Sequence, residues 1–105
     1  MNLDHLARQS YKDDPSSVIY WLIVSSYLYY IRMELVLSDE TFDKMAKLAL
    51  DKNIKHSKLQ YLVNDDRLRA GSFFDVKPTE YPDFIIEDAE KLLRYGIWYG
   101  REING

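Results

Sequence analysis

Asp39 and Asp43 lie at i and i+4 in the stretch Ser-Asp-Glu-Thr-Phe-Asp-Lys, residues 38–44, with Phe42 between them. On a helix that spacing puts both carboxylates on one face, where like charges cost roughly 0.2–0.5 kcal/mol. Ordinary surface chemistry accounts for part of this. Asp39 and Glu40 follow a serine suited to cap a helix, where the positive end of the dipole favours carboxylates. Lys47 stands four residues after Asp43, and Lys44 four after Glu40, in the favourable order for ion pairs. A sharper reading adds Ser25, Tyr29 and Arg32, which fall at i, i+4 and i+7 as a polar stripe on an otherwise apolar segment. If the two segments are helices joined by a short link, Tyr29, Arg32, Asp39 and Asp43 line one cleft. An aromatic platform, a cation and two carboxylates suit a nucleoside with a ribose and a cationic or polar ring.

The elements that must position these residues read as helices. Leu3, Leu6 and Ala7 give a short amphipathic start, broken at Lys12-Asp13-Asp14-Pro15. Ser16 or Ser17 then caps a second helix running to about Met33. That helix is apolar nearly all round, which predicts a central position covered by the others. Residues 34–37 form an extended link, and Ser38 caps a third helix that buries Phe42, Met45, Ala46 and Ala49 and ends near Asn53. Ser57 is placed to cap a short helix through Leu59, Leu62 and Val63. Residues 64–81 read as polar and irregular, with Gly71 and Pro78 as breakers. Pro82 opens the last helix, with Phe84, Ile85, Ala89, Leu92 and Leu93 inward and Gly96 as its stop. Beyond it, Ile97-Trp98-Tyr99 either folds back on the domain or presents Trp98 and Tyr99 as an aromatic interface. The expected fold is all-α: one domain over residues 1–105, with four to five helices around a central apolar helix.

Composition narrows the function. A length of 105 residues allows one modest core, and an apolar fraction of 47% argues against disorder. The net charge of −3 gives no electrostatic case for nucleic acid, so the basic run Lys44, Lys47, Lys52, Lys55 and Lys58 reads as a solvated helix face. Without cysteine there are no disulfides and no thiol chemistry, and a reducing, cytoplasmic setting is expected. The opening MNLDHLARQ does not read as a signal peptide. The apolar run from Val18 to Ile31 is shorter than the ~20 residues of a membrane span. His5 and His56 stand far apart without ligand spacing, so a metal site is not expected. No Gly-rich phosphate loop and no Lys-x-Asp-Gly motif is present.

Tyr27-Leu28-Tyr29-Tyr30, followed by Ser38-Asp39-Glu40-Thr41-Phe42-Asp43-Lys44-Met45, resembles the N-terminal Ia domain of bacterial NAD-dependent DNA ligases. The pattern there is Y-x-Y-H, a D-x-P turn, then [S/P]-D-x-x-Y-D-x-L. The run from Lys55-His56 through Leu68-Arg69-Ala70-Gly71 to Tyr81-Pro82 is similar to small phage-encoded proteins related to that domain. The resemblance spans about residues 16–95, with its motif-grade part in 27–45. It implies an all-α fold and a nucleotide cleft that holds the nicotinamide mononucleotide half of NAD, with Tyr29, Asp39 and Asp43 in ligand-contacting positions. Three positions depart from the pattern: Tyr30 replaces the histidine, Phe42 replaces the second tyrosine, and Met33-Glu34-Leu35 replaces the turn. Each lost polar contact removes ~1 kcal/mol.

The expectation is a non-catalytic, phage-encoded binding protein that acts on a host or phage protein partner, with no resident cofactor. The alternative is a binder of NAD or nicotinamide mononucleotide. Its candidate ligand-binding residues are Tyr29, Tyr30, Arg32, Asp39, Phe42 and Asp43. An enzyme is not expected, because no base–nucleophile pair is visible and the adenylation lysine is missing.

Overall fold

From Ser17 to Leu28 the chain offers only aliphatic, aromatic and serine side chains, with no charge to hold any face in water. In the structure, a computed structural model that describes residues 2–95, this segment forms the helix α2 (Ser17–Tyr30), and every residue from Ser17 to Leu28 is buried. A helix without a polar face must be covered on all sides. The covering elements are α1 (Asp4–Asp13), α3 (Asp39–Asp51) and α5 (Asp83–Tyr95), which all pack on α2, while α4 (Asp65–Ala70) packs on α3. Single 3₁₀ turns lie at Gln60–Leu62 and Pro78–Glu80. The fold is therefore all-α, with α2 at its centre as its composition demands. No helix among the described residues is long and apolar enough to cross a membrane. Gly96 and the tail Ile97-Trp98-Tyr99 lie outside the described residues.

Several local expectations change. Helix α2 stops at Tyr30, short of Met33. The N–H groups of Arg32 and Glu34 both reach the Leu28 carbonyl, at 3.2 and 2.8 Å, and Met33 takes a left-handed φ of 56°. The turn returns the chain to the core, where Val36 and Leu37 are buried. Neither serine caps α2 with its side chain: the Ser16 N–H and hydroxyl both donate to Asp14 Oδ1. Ser57 caps nothing, since the 3₁₀ turn follows Leu59. Residues 64–81 are not irregular throughout. Asn64 caps α4 by accepting the Arg67 N–H at 2.8 Å, and Gly71 ends it at φ 63°. Thr41, not Phe42, is fully buried on α3, and on α5 Phe84 and Leu93 are only partly buried beside Ile85, Ala89 and Leu92.

The Ser38 cap is present, and it is also a tertiary joint. Ser38 Oγ accepts the Thr41 N–H at 3.2 Å. The Ser38 hydroxyl and N–H donate to the two carboxylate oxygens of Asp4, at 2.6 and 2.8 Å. One turn later Arg8 donates to Thr41 Oγ1 at 3.2 Å, and the Leu3 N–H donates to the Val36 carbonyl at 2.7 Å. Helix α1 thus holds the link and the start of α3 in place. Burial pushes the Asp4 carboxyl up, but the bonds from Ser38 and the nearby Arg8 charge outweigh it and hold it below its ordinary value.

Two measurements check this account. Leu22 is fully buried at mid-helix, so Leu22→Ala should cost about 2–5 kcal/mol in chemical denaturation. Asp4→Asn keeps the shape and removes the charge, and should cost about 1–2 kcal/mol at pH 7. Because the folded pKa is lowered, the Asp4 contribution is fully present above the unfolded value near ~4 and is lost as pH falls through the folded value. The stability difference between parent and Asp4→Asn should therefore shrink as unfolding is measured at progressively lower pH below about 4.

Candidate functional site

Helical spacing sends Ser25, Ser26, Tyr29 and Tyr30 of α2 to one side and Asp39, Glu40, Phe42 and Asp43 to one side of α3. With the link residues Leu35, Val36 and Leu37 and with Gly71 after α4, they enclose a cavity of about 510 Å³. Five of the six candidate ligand residues meet here: Tyr29, Tyr30, Asp39, Phe42 and Asp43. The sixth, Arg32, does not line it. Helix α2 ends before Arg32, so the polar stripe is broken, and the guanidinium turns to Glu90 of α5. Tyr27 also donates to Glu90, at 3.2 Å. Bonds from Arg32 lower the Glu90 carboxyl from its ordinary value against the opposing effect of burial.

The wall from α2 is aromatic. The Tyr29 and Tyr30 rings meet edge to face at 4.9 Å, with an interplanar angle of 75°. Tyr29 is 52% exposed, and the Tyr30 hydroxyl shares a hydrogen bond with Ser72 Oγ at 2.9 Å. Phe42 leans edge-on against the buried Phe73, at 6.2 Å between centroids. The facing wall is acidic. Lys47 reaches Asp43 at 3.1 Å and Lys44 reaches Glu40 at 3.2 Å, both pairs exposed and worth roughly 0–1 kcal/mol each. The Asp39 carboxylate makes no ion pair or hydrogen bond with a described residue.

Two lining residues had no signal as ligand groups in the sequence. Ser26 is 1% exposed, and its hydroxyl has no hydrogen-bond partner among the described residues, whereas the neighbouring Ser25 hydroxyl donates to the Leu22 carbonyl at 3.3 Å. Gly71 stands where an added Cβ would come within 3.0 Å of Asp43 Oδ1, so the loop after α4 passes close to the second aspartate. Asn64-Asp65-Asp66 before Gly71 was the available sign of a capped helix ending there.

His56 lies away from the cavity. Burial pushes its imidazole below the ordinary value, and Nδ1 accepts the Lys58 N–H at 3.2 Å. Among the described residues, no group of three or more His, Cys, Asp or Glu is placed to hold a metal ion. Of the basic run, Lys44 and Lys47 are in the exposed pairs above and Lys58 sits 6.0 Å over the Phe84 ring. The candidate interface residues Trp98 and Tyr99 lie outside the described residues. In comparison with known proteins, the chain matches no family model, no curated protein and no solved structure.

The joint between Gly71 and Asp43 can be measured. Gly71→Ala meets both a left-handed φ, worth about 1–2 kcal/mol, and the Asp43 carboxylate. In Gly71→Ala with Asp43→Ala, only the backbone part of the cost should remain. Additive losses in that double-mutant cycle would mean that the Asp43 side chain moves away from the added methyl without cost.

Proposed function

We propose that this domain is a non-catalytic binding module, a phage-encoded relative of the ligase Ia domain, that holds the nicotinamide nucleoside part of a small molecule in the cavity between α2 and α3. The observation that carries this reading is the convergence of Tyr29, Tyr30 and Phe42 with Asp39 and Asp43 around about 510 Å³. That volume lies in the range of small-molecule sites, roughly 300–1,000 Å³. Aromatic faces suit a flat ring, and carboxylates suit ribose hydroxyls, which donate to them. The Ia-like pattern in residues 27–45 supports the same ligand. Neither lining serine is hydrogen-bonded to a carboxylate among the described residues, since the Ser25 hydroxyl donates to the Leu22 carbonyl and the Ser26 hydroxyl has no partner there, which supports binding over catalysis. A second reading, binding of a host or phage protein, is favoured by Tyr61 and Phe74, large aromatic side chains that stand exposed.

Thermal unfolding separates the two. A ligand of the folded state at a hundred times its dissociation constant adds about 2.7 kcal/mol. Millimolar NAD or nicotinamide mononucleotide should raise the melting temperature, and Asp39→Ala with Asp43→Ala should remove the rise. An unchanged melting temperature with both compounds would discard the nucleotide reading. Recovery of a partner from host lysate that Phe74→Ala fails to bind would then support the second.

A further inference from the structure

We infer that the cavity prefers a cationic ring nucleoside to its phosphate ester. The inference rests on the reading of this cavity as a nucleoside site and adds the charge of the ligand. None of the lining residues is positively charged, while Asp39, Glu40 and Asp43 all face the space. Arg32, the cation that the sequence placed in the cleft, is held by Glu90 on another helix. Lys44 and Lys47 sit on exposed ion pairs with Glu40 and Asp43, which leaves Asp39 as the uncompensated charge. A helix N-terminus is a common phosphate site. Here Ser38 Oγ takes the Thr41 N–H of the first turn of α3, and Asp39 and Glu40 are themselves the anions at the dipole. A phosphate would meet the repulsion of three lining carboxylates with no lining cation to offset it.

A pyridinium ring meets the opposite conditions. Tyr29, Tyr30 and Phe42 supply aromatic surface for a cation, and Asp39 supplies the counter-charge. An independent observation points to a polar ligand group. Ser26 Oγ is buried, lines the cavity and lacks a partner among the described residues, a state that costs free energy unless a bound group satisfies it. A carboxamide or ribose hydroxyl supplies that bond.

Titration calorimetry with nicotinamide riboside and nicotinamide mononucleotide, which share ring and ribose and differ by the phosphate, tests this. The riboside should bind at least tenfold tighter. Asp39→Asn, a change at an exposed residue, should weaken the riboside and bring the ratio below about threefold, since the charge difference carries the selection. Ser26→Ala should weaken the riboside while leaving the melting temperature of the free protein equal or higher. Equal or tighter binding of the mononucleotide, or a ratio unmoved by Asp39→Asn, would overturn the charge selection and leave the nucleoside site standing. Failure of both compounds to bind would overturn both.

Discussion

Helix α2 has no face that water can hold, and the rest of the structure follows from covering it. Each large apolar side chain it buries is worth roughly 1.5–3 kcal/mol, so leaving one side open would cost much of a small domain's stability. Three helices supply the cover, and the cover must also satisfy the polar atoms that α2 carries inward. Tyr20 donates to Asp88 and Tyr27 to Glu90, both on α5. Because Tyr20 and Tyr27 are two turns apart on one face of α2, these two bonds set how α5 lies along it. Packing places α5 beside α2, and the acceptors select its position.

The cavity forms where that burial ends. After Leu28 the next two residues, Tyr29 and Tyr30, are exposed, and the chain reverses at Met33 so that Val36 and Leu37 return to the core. This puts the aromatic end of α2 opposite the start of α3. The Asp4–Ser38 bonds then hold α3 by its first turn. Asp39 is the residue after that cap, so the position of a cavity carboxylate is set by a contact with α1, a helix that does not line the cavity at all. The far side is closed by Gly71, which only an unbranched backbone in the left-handed region can supply so near to Asp43.

Much of this was legible in the residues. The apolar run of α2, the Ser38 cap and the pairing of the 29–30 and 39–43 segments need only local periodicity and a short link, and all are present. What failed had competing physical causes. Arg32 looked like a cleft residue because i+7 repeats a helical face, but the helix ended first and a carboxylate from residue 90 took the side chain. Ser16 takes helical backbone angles, φ −65° and ψ −16°, in place of the extended ones that aim a capping side chain back at the first turn. Helix α4 was hidden by its polar sequence; its Asn64 and Gly71 boundary signals outweighed the weak apolar pattern inside. The unpartnered hydroxyl of Ser26 was not readable at all, since it depends on the final packing.

The course of Arg32 also explains why the cavity is acidic in the folded protein. Arg32 lies only a few residues from Asp39 in sequence, yet its guanidinium pairs with Glu90 of α5. Glu90 is partly buried and already receives the Tyr27 hydroxyl, whereas Asp39 is exposed. An ion pair is screened less as water is withdrawn, and a carboxylate with a second donor is better ordered to receive a guanidinium. The pairing with Glu90 therefore wins, and Asp39 keeps its charge. That charge is inexpensive in the free protein, because it sits in water at the positive end of a helix. The same arrangement that secures α5 to the end of α2 leaves the one uncompensated carboxylate facing the aromatic wall, and the cavity draws its charge from a contact made on the other side of α2.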